Sequence, residues 1–246
     1  MTGPHPDWIV PDWPAPKCIR SLITTRNGGV SRGPCASFNL GLRTGDDPQA
    51  VAANRALLRE LLPQEPRWLK QVHGARVVAA DSVTAPPEAD ASVARAPGTV
   101  CAIMIADCLP VLLTDRSGRI VAAAHAGWRG LAAGVVEATV RAMEVAPGEV
   151  LAYLGPCIGP GAFEVGVDVY EAFMKSDPIA QGAFRPLHPG KWLADLPGLT
   201  RQALARAGVS LIYGEPQCTY ADSGRFFSYR RDPATGRMAA LIWREF

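Results

Sequence analysis

The stretch DASVARAPGTVCAIMIADCLPVLLTDRSGRIVAAAHAGWRG, residues 90–130, decides how the rest of the chain is read. It holds three apolar runs: TVCAIMIA (99–106), LPVLLTD (109–115) and GRIVAAAH (118–125). They are continuous rather than alternating, which is the pattern of strands covered on both faces. Between the last two, Arg116-Ser117-Gly118-Arg119 has the composition of a hairpin turn. Cys108 and His125 stand where an apolar run meets a turn, and so does His73 upstream in WLKQVHGARVV (68–78). A side chain at such a strand end reaches a pocket mouth instead of the core.

Working outward, residues 1–17 carry prolines and two tryptophans, Trp8 and Trp13, and read as an irregular arm packed on the surface. CIRSLITT (18–25) reads as a strand, followed by the turn-rich RNGGVSRGPCASFNLGL (26–42). Asp46-Asp47-Pro48 sets an acidic N-cap and a first-turn proline ahead of AVAANRALLRELL (50–62), a helix with one buried stripe at Val51, Leu58, Leu61 and Leu62. WLKQV (68–72) and ARVVAA (75–80) predict two short strands, and SVTAPPEADA (82–91) a surface linker.

After the central stretch, GLAAGVVEATVRAME (130–144) predicts one helix packed back over the sheet. EVLAYLGPCIGPGAFEVG (149–166) predicts a strand running into a glycine- and proline-rich loop. VDVYEAFMK (167–175) and LTRQALARAG (199–208) predict helices, the second ended by Gly208. PIAQGAFRPLHPGKW (178–192) reads as an irregular excursion, and SLIYG, FFSYRR and RMAALIW as closing strands. Strands and helices mix without a regular βαβ rhythm. The expected fold class is therefore α+β, a single domain over residues 18–246 with a large mixed sheet system covered by helices.

Composition sets bounds on function. With 25 Lys and Arg against 23 Asp and Glu, the net charge of +2 gives no electrostatic ground for a nucleic-acid groove. No run reaches the roughly 18 apolar residues of a membrane span, and the first residues do not have the form of a secretory signal. A soluble, cytoplasmic protein is expected. The six cysteines include no CxxC pair, which removes the commonest structural-zinc signature. In a reducing compartment they are expected to remain thiols.

His73, Cys108 and His125 are read as a three-ligand zinc site, because catalytic zinc commonly takes three protein donors and leaves a fourth position open. Such a metal polarises an oxygen or lowers the pKa of bound water. The long, unequal separations suit donors gathered from several strands of a sheet. Cys108 with His125 also suits a thiolate–imidazole nucleophile pair that needs no metal. Asp107 or Asp90 is placed either to orient the histidine or to close a turn. A multicopper centre is a poor fit to four histidines in the whole chain. RNGGVSRG lacks a Walker or dinucleotide pattern. Its amides and Arg26 suit an anion such as phosphate, making Arg26 a candidate substrate contact, although the segment equally suits a plain turn.

The ordered motifs TTRNGGVS, SFNLGLRTGDDP, KQVHGARV, ADASVARAPG, ADCLPVLLTD, AHAGWRG, GPCIGP, FEVG and FFSYRRDPATGR span Thr24 to Arg237. In these the chain resembles the bacterial YfiH family, also called the laccase-domain or multicopper polyphenol oxidase family, from about Cys18 to Trp243. The resemblance implies an α/β/β/α sandwich, a cytoplasmic location and a catalytic zinc on His73, Cys108 and His125. It implies a purine nucleoside phosphorylase acting on inosine, adenosine, guanosine and methylthioadenosine, with adenosine deaminase activity. Purine nucleosides and phosphate are then the partners, and the chain is expected to be a monomer or weak homo-oligomer. An alternative implied by the resemblance is hydrolytic editing of peptidoglycan precursors, removing L-Ser from a UDP-muramoyl intermediate. A copper-dependent polyphenol oxidase is the third. The family's GPCIGPCCYEVG stretch reads GPCIGPGAFEVG here, which leaves the three donors intact and bears on nucleoside preference.

Overall fold

The computed structural model describes residues 3–246, so the first two residues of the expected arm lie outside it. In chain order the elements are β1 (Ile19–Ile23), α1 (Pro48–Arg59), β2 (Val77–Ala79), β3 (Ala91–Ala94), β4 (Cys101–Ile105), β5 (Leu109–Asp115) and β6 (Val121–Ala126). They continue with α2 (Trp128–Ala132), α3 (Val135–Met143), β7 (Val150–Leu154), β8 (Glu164–Gly166) and α4 (Val167–Ser176). β9 (Phe184–His188), β10 (Lys191–Ala194), α5 (Leu196–Arg206), β11 (Leu211–Tyr213) and β12 (Met238–Arg244) complete the chain. The central sheet is mixed, in the order β11-β7-β5-β6-β3-β2, and faces an antiparallel sheet β1-β12-β4. A small sheet, β8-β10-β9, lies apart from both.

Side-chain alternation builds the layers. Along β5 and β6, Leu112, Val121 and Ala123 join Ile103, Ile105, Ala240 and Ile242 between the two large sheets. Their neighbours Val111, Leu113, Ala122 and Ala124 turn the other way, against residues of α2, α3, α4 and α5. On the far face of the smaller sheet, Ala102, Ala239 and Leu241 pack with Leu58 of α1. The result is the α+β architecture expected, with helices outside two facing sheets. Among the described residues no helix is long and apolar enough to cross a membrane. From the 1–17 segment, Trp8 is buried with Phe38 and Leu58, and Ile9 bridges Ile23.

Several sequence-based expectations are corrected. WLKQV is not a strand: Gln71 exchanges two side-chain hydrogen bonds with the backbone of Met104, at 2.7 and 2.8 Å, and ties the segment to β4 without a ladder. The run 130–144 is two helices, because Gly134 adopts φ 85° between α2 and α3. The supposed linker ends in β3, which joins β6 to β2. Residues 178–192 hold β9 and β10 in a hairpin turned at Gly190, φ 73°. FFSYRR is turn rather than strand: the Arg231 guanidinium holds the carbonyls of Thr219, Tyr220 and Phe226.

The β5–β6 hairpin carries Cys108 and His125 at its open end and is closed at the other by Asp115. That buried carboxylate accepts from the Ser117 hydroxyl and from the amides of Arg119 (2.7 Å) and Ile120 (3.2 Å). Burial pushes its pKa up, but these donors outweigh it and hold the carboxyl below its ordinary value. Its stabilisation is therefore complete above the unfolded value near pH ~4 and is lost as pH falls through the lower folded value. Asp115→Ala is expected to cost about 2 kcal/mol at neutral pH. In urea melts repeated down to acid pH, the gap to wild type should close below pH ~4.

Candidate metal centre

His73, Cys108 and His125 are brought together: one donor atom of each lies within 4.8 Å of the others. The cluster spans an exposed His73, a half-buried Cys108 and a fully buried His125. His125 is on the last turn-proximal part of β6, paired with Pro110 of β5. Cys108 precedes β5, and Asp107 before it takes φ 94°, a left-handed bend that ends the β4 direction and aims the thiol. His73 itself has φ 60°, also left-handed.

Asp90 holds this arrangement. One carboxylate oxygen accepts from the His73 amide at 2.9 Å and faces His125 Nδ1 at 2.9 Å. The other accepts from the amides of Val72 (3.1 Å) and Gly74 (2.7 Å). Three consecutive amides are thus wrapped around one buried carboxylate, which offsets the left-handed strain at His73. Since a carboxylate only accepts, Nδ1 of His125 carries the proton and Nε2 is free to act as a donor to a metal. Burial pushes the Asp90 carboxyl up, but His125 and the wrapped amides prevail and hold it below its ordinary value.

The electrostatics favour a thiolate. Burial alone would raise the Cys108 thiol, yet the His125 and His73 imidazoles beside it outweigh that and bring it down to about 6. Burial alone would lower His125, but Cys108 and Asp90 raise it to about 9. Both shifts run in the direction of a thiolate beside an imidazolium. One soft thiolate and two imidazoles, one of them oriented by a carboxylate, form a donor set that fits a metal such as zinc. Gly127 completes the fit: a Cβ there would lie 2.8 Å from Cys108 Sγ and 3.0 Å from His73 Cδ2.

The three residues line a cavity of about 850 Å³. Arg43, Lys70, Arg129 and Arg230 stand around it, with Trp128, Phe163 and Tyr229 supplying aromatic wall. Arg129 lies over the Trp128 ring at 4.3 Å, and Arg230 donates to the Glu164 carbonyl. Asp107 is the acid in the lining, and it is already engaged by the Thr219 hydroxyl at 2.6 Å and the Arg230 amide at 2.7 Å. The remaining character is cationic. Arg26 is not brought here. Its guanidinium donates to the carbonyls of Ala36 and Ser223 and covers Phe227. Sequence reasoning missed the rim cations, which come from four separated segments with no shared motif. It weighed Asp90 and Asp107 alike, and the structure gives the imidazole to Asp90.

Comparison with known proteins identifies the family. A family model described as multi-copper polyphenol oxidoreductase laccase matches residues 20–245. Purine nucleoside phosphorylase YfiH of Escherichia coli is 53% identical over 241 residues, covering 96% of this chain and 98% of that protein. A purine nucleoside phosphorylase of Pseudomonas aeruginosa is 53% identical over 237 residues, with the same shares covered. A crystal structure of a Neisseria meningitidis protein superposes with a TM-score of 0.94 at 51% identity, covering 98% of this chain and 100% of that one. YlmD from Geobacillus stearothermophilus superposes with a TM-score of 0.84 at 34% identity, covering 94% and 93%. With the family model, the relatives and the fold in agreement, the chain belongs to the YfiH family of laccase-like proteins.

Proposed function

We propose that the chain is a zinc-dependent purine nucleoside phosphorylase, with adenosine deaminase activity at the same site. The carrying observation is the His73, Cys108, His125 cluster opening into a cationic, aromatic-walled cavity. The naming of the curated relatives as purine nucleoside phosphorylases supports the reaction class. Four histidines in the whole chain favour zinc over a multicopper centre.

His73, Cys108 and His125 would hold the zinc, which supplies Lewis-acid polarisation of an oxygen at that point. The chain's own residues do the rest. Arg43, Lys70 and Arg129 attract and orient phosphate. Trp128, Phe163 and Tyr229 offer faces for a purine ring. Asp90 fixes the His125 tautomer. In phosphorolysis, a phosphate oxygen forms a bond to ribose C1′ while the bond from C1′ to the base nitrogen breaks, giving base and ribose 1-phosphate. In deamination, water adds at purine C6 and ammonia leaves. With inosine as substrate, chromatography should show hypoxanthine only when phosphate is present. Equal release without phosphate would replace phosphorolysis by hydrolysis.

A second reading draws on the cavity's size, which lies toward the upper end of the about 300–1,000 Å³ common for small-molecule sites. A bulkier anionic substrate, as in peptidoglycan-precursor editing by the metal or by the Cys108–His125 thiolate, fits that volume. Loss of activity with a chelator points to the metal, and selective loss with iodoacetamide in metal-free buffer points to the thiol.

A further inference from the structure

We propose that Cys157 and Cys218 are a reactive dithiol that closes to a disulfide with peroxide-class oxidants, a modification transmitted to the cavity through Asp107. The two residues come from the loop after β7 and from the segment after β11. They oppose one another in a parallel bridge. The Cys157 amide donates to the Gln217 carbonyl at 3.1 Å, and the Thr219 amide to the Cys157 carbonyl at 2.9 Å. Directly opposed residues on neighbouring strands lie about 4.8 Å apart. That is inside the roughly 4.4–6.8 Å between Cα atoms that a disulfide spans.

Both thiols are free, with Cys157 buried and Cys218 half-buried. The Cys218 sulfur accepts from the Gly159 amide at 3.2 Å. Gly159 also leaves room beside it, since a Cβ there would lie 3.2 Å from that sulfur. The accessible Cys218 is therefore the thiol that meets the oxidant, and the enclosed Cys157 is the one that resolves it.

The chemistry balances with hydrogen peroxide as co-reactant. The Cys218 sulfur attacks one peroxide oxygen, the O–O bond breaks, and the other oxygen takes up the thiol's proton and leaves as water, so that sulfur is oxidised to a sulfenic acid. Cys157 then gives up its proton and attacks the Cys218 sulfur. The S–O bond breaks, the oxygen leaves as water, and the disulfide forms. Two thiols and one peroxide yield one disulfide and two waters.

Each cysteine adjoins a residue that anchors Asp107. Ile158, next to Cys157, donates its amide to the Asp107 carbonyl at 2.9 Å. Thr219, next to Cys218, donates its hydroxyl to the Asp107 carboxylate at 2.6 Å. Asp107, at φ 94°, immediately precedes Cys108. Closing the bond moves the Cα separation at 157 and 218 from about 4.8 Å towards the roughly 5.5–6 Å that disulfides favour, which shifts both anchors and so disturbs the aim of Cys108. The bond stands independently of the function proposed above, whereas its effect on turnover rests on that function.

The test treats the full-length, zinc-loaded protein with limiting hydrogen peroxide, alkylates it under denaturing conditions and maps the digest by mass spectrometry. A Cys157–Cys218 cross-linked peptide cleaved by dithiothreitol is expected. Recovery of both cysteines alkylated, or of Cys218 over-oxidised beside alkylated Cys157, overturns the proposal. Wild-type inosine turnover should drop after peroxide and return with dithiothreitol, while Cys218→Ser keeps its turnover. The rate at which a chromogenic chelator withdraws the zinc makes the same comparison without a substrate. An equal peroxide response of Cys218→Ser and wild type in that assay sinks the link to Asp107.

Discussion

Replacing Cys108 with alanine is expected to abolish zinc retention and lower nucleoside turnover by more than about 100-fold. Loss of supporting groups around a metal already costs about 10–100-fold, and in the proposed site Cys108 would itself be a donor, the one thiolate of the set. Two imidazoles would remain, one exposed and one buried, without the thiolate between them. The fold should survive, because Cys108 is half-buried and lies before β5 rather than inside the sheet. Thermal melts of the metal-free variant should therefore stay cooperative, with a modestly lower midpoint because buried His125 loses the thiol beside it. Zinc content by atomic absorption, read beside turnover, makes the check. A variant with full zinc and full turnover would remove Cys108 from the site.

Asp90→Asn carries the second large effect. The native carboxylate accepts from three amides and from His125 Nδ1, two donors to each oxygen. An amide side chain offers one oxygen and one NH2, so whichever way it turns, two donors are left facing a donor. Each such unsatisfied buried group costs about 1–3 kcal/mol, so the turn at His73 and the imidazole of His125 cannot both keep their places. Zinc affinity is expected to fall about 10–100-fold, with a lower melting temperature in the metal-free protein as well. Restored affinity in Asp90→Glu would show that the charge alone matters. The three-amide wrap instead predicts that the longer side chain fails to rescue. Titration with a zinc-buffering chelator distinguishes these.

Much of this was legible in the sequence, and for a physical reason. β4, β5 and β6 are buried on both faces, so their apolar runs are uninterrupted and stand out without an alternating pattern. Cys108 and His125 stood out because they lie at the ends of such runs, whereas His73 follows WLKQV, which is tied to β4 without being a strand. Other elements left no comparable trace. β3 is the short ASVA, whose small buried residues carry little β signal. The break between α2 and α3 depends on the left-handed backbone of Gly134 inside a periodic apolar pattern. Phe226 and Phe227 are adjacent and both fully buried, an arrangement reached through turns held by Arg231 rather than by strand alternation. The GPCIGPGAFEVG segment supplies Ile158 and Phe163 to the cavity wall. Arg26 shows the limit at the site itself: a glycine-rich loop can look ready for an anion while its arginine is occupied by backbone carbonyls.

The most direct test of the whole account is a metal titration of turnover. Metal-free protein is given zinc in steps with inosine and phosphate present, and hypoxanthine and ribose 1-phosphate are measured against zinc bound. The account predicts no product from the metal-free chain and a linear rise that saturates at one zinc per chain. Full phosphorolysis by the metal-free protein, unchanged as zinc is added, would contradict it.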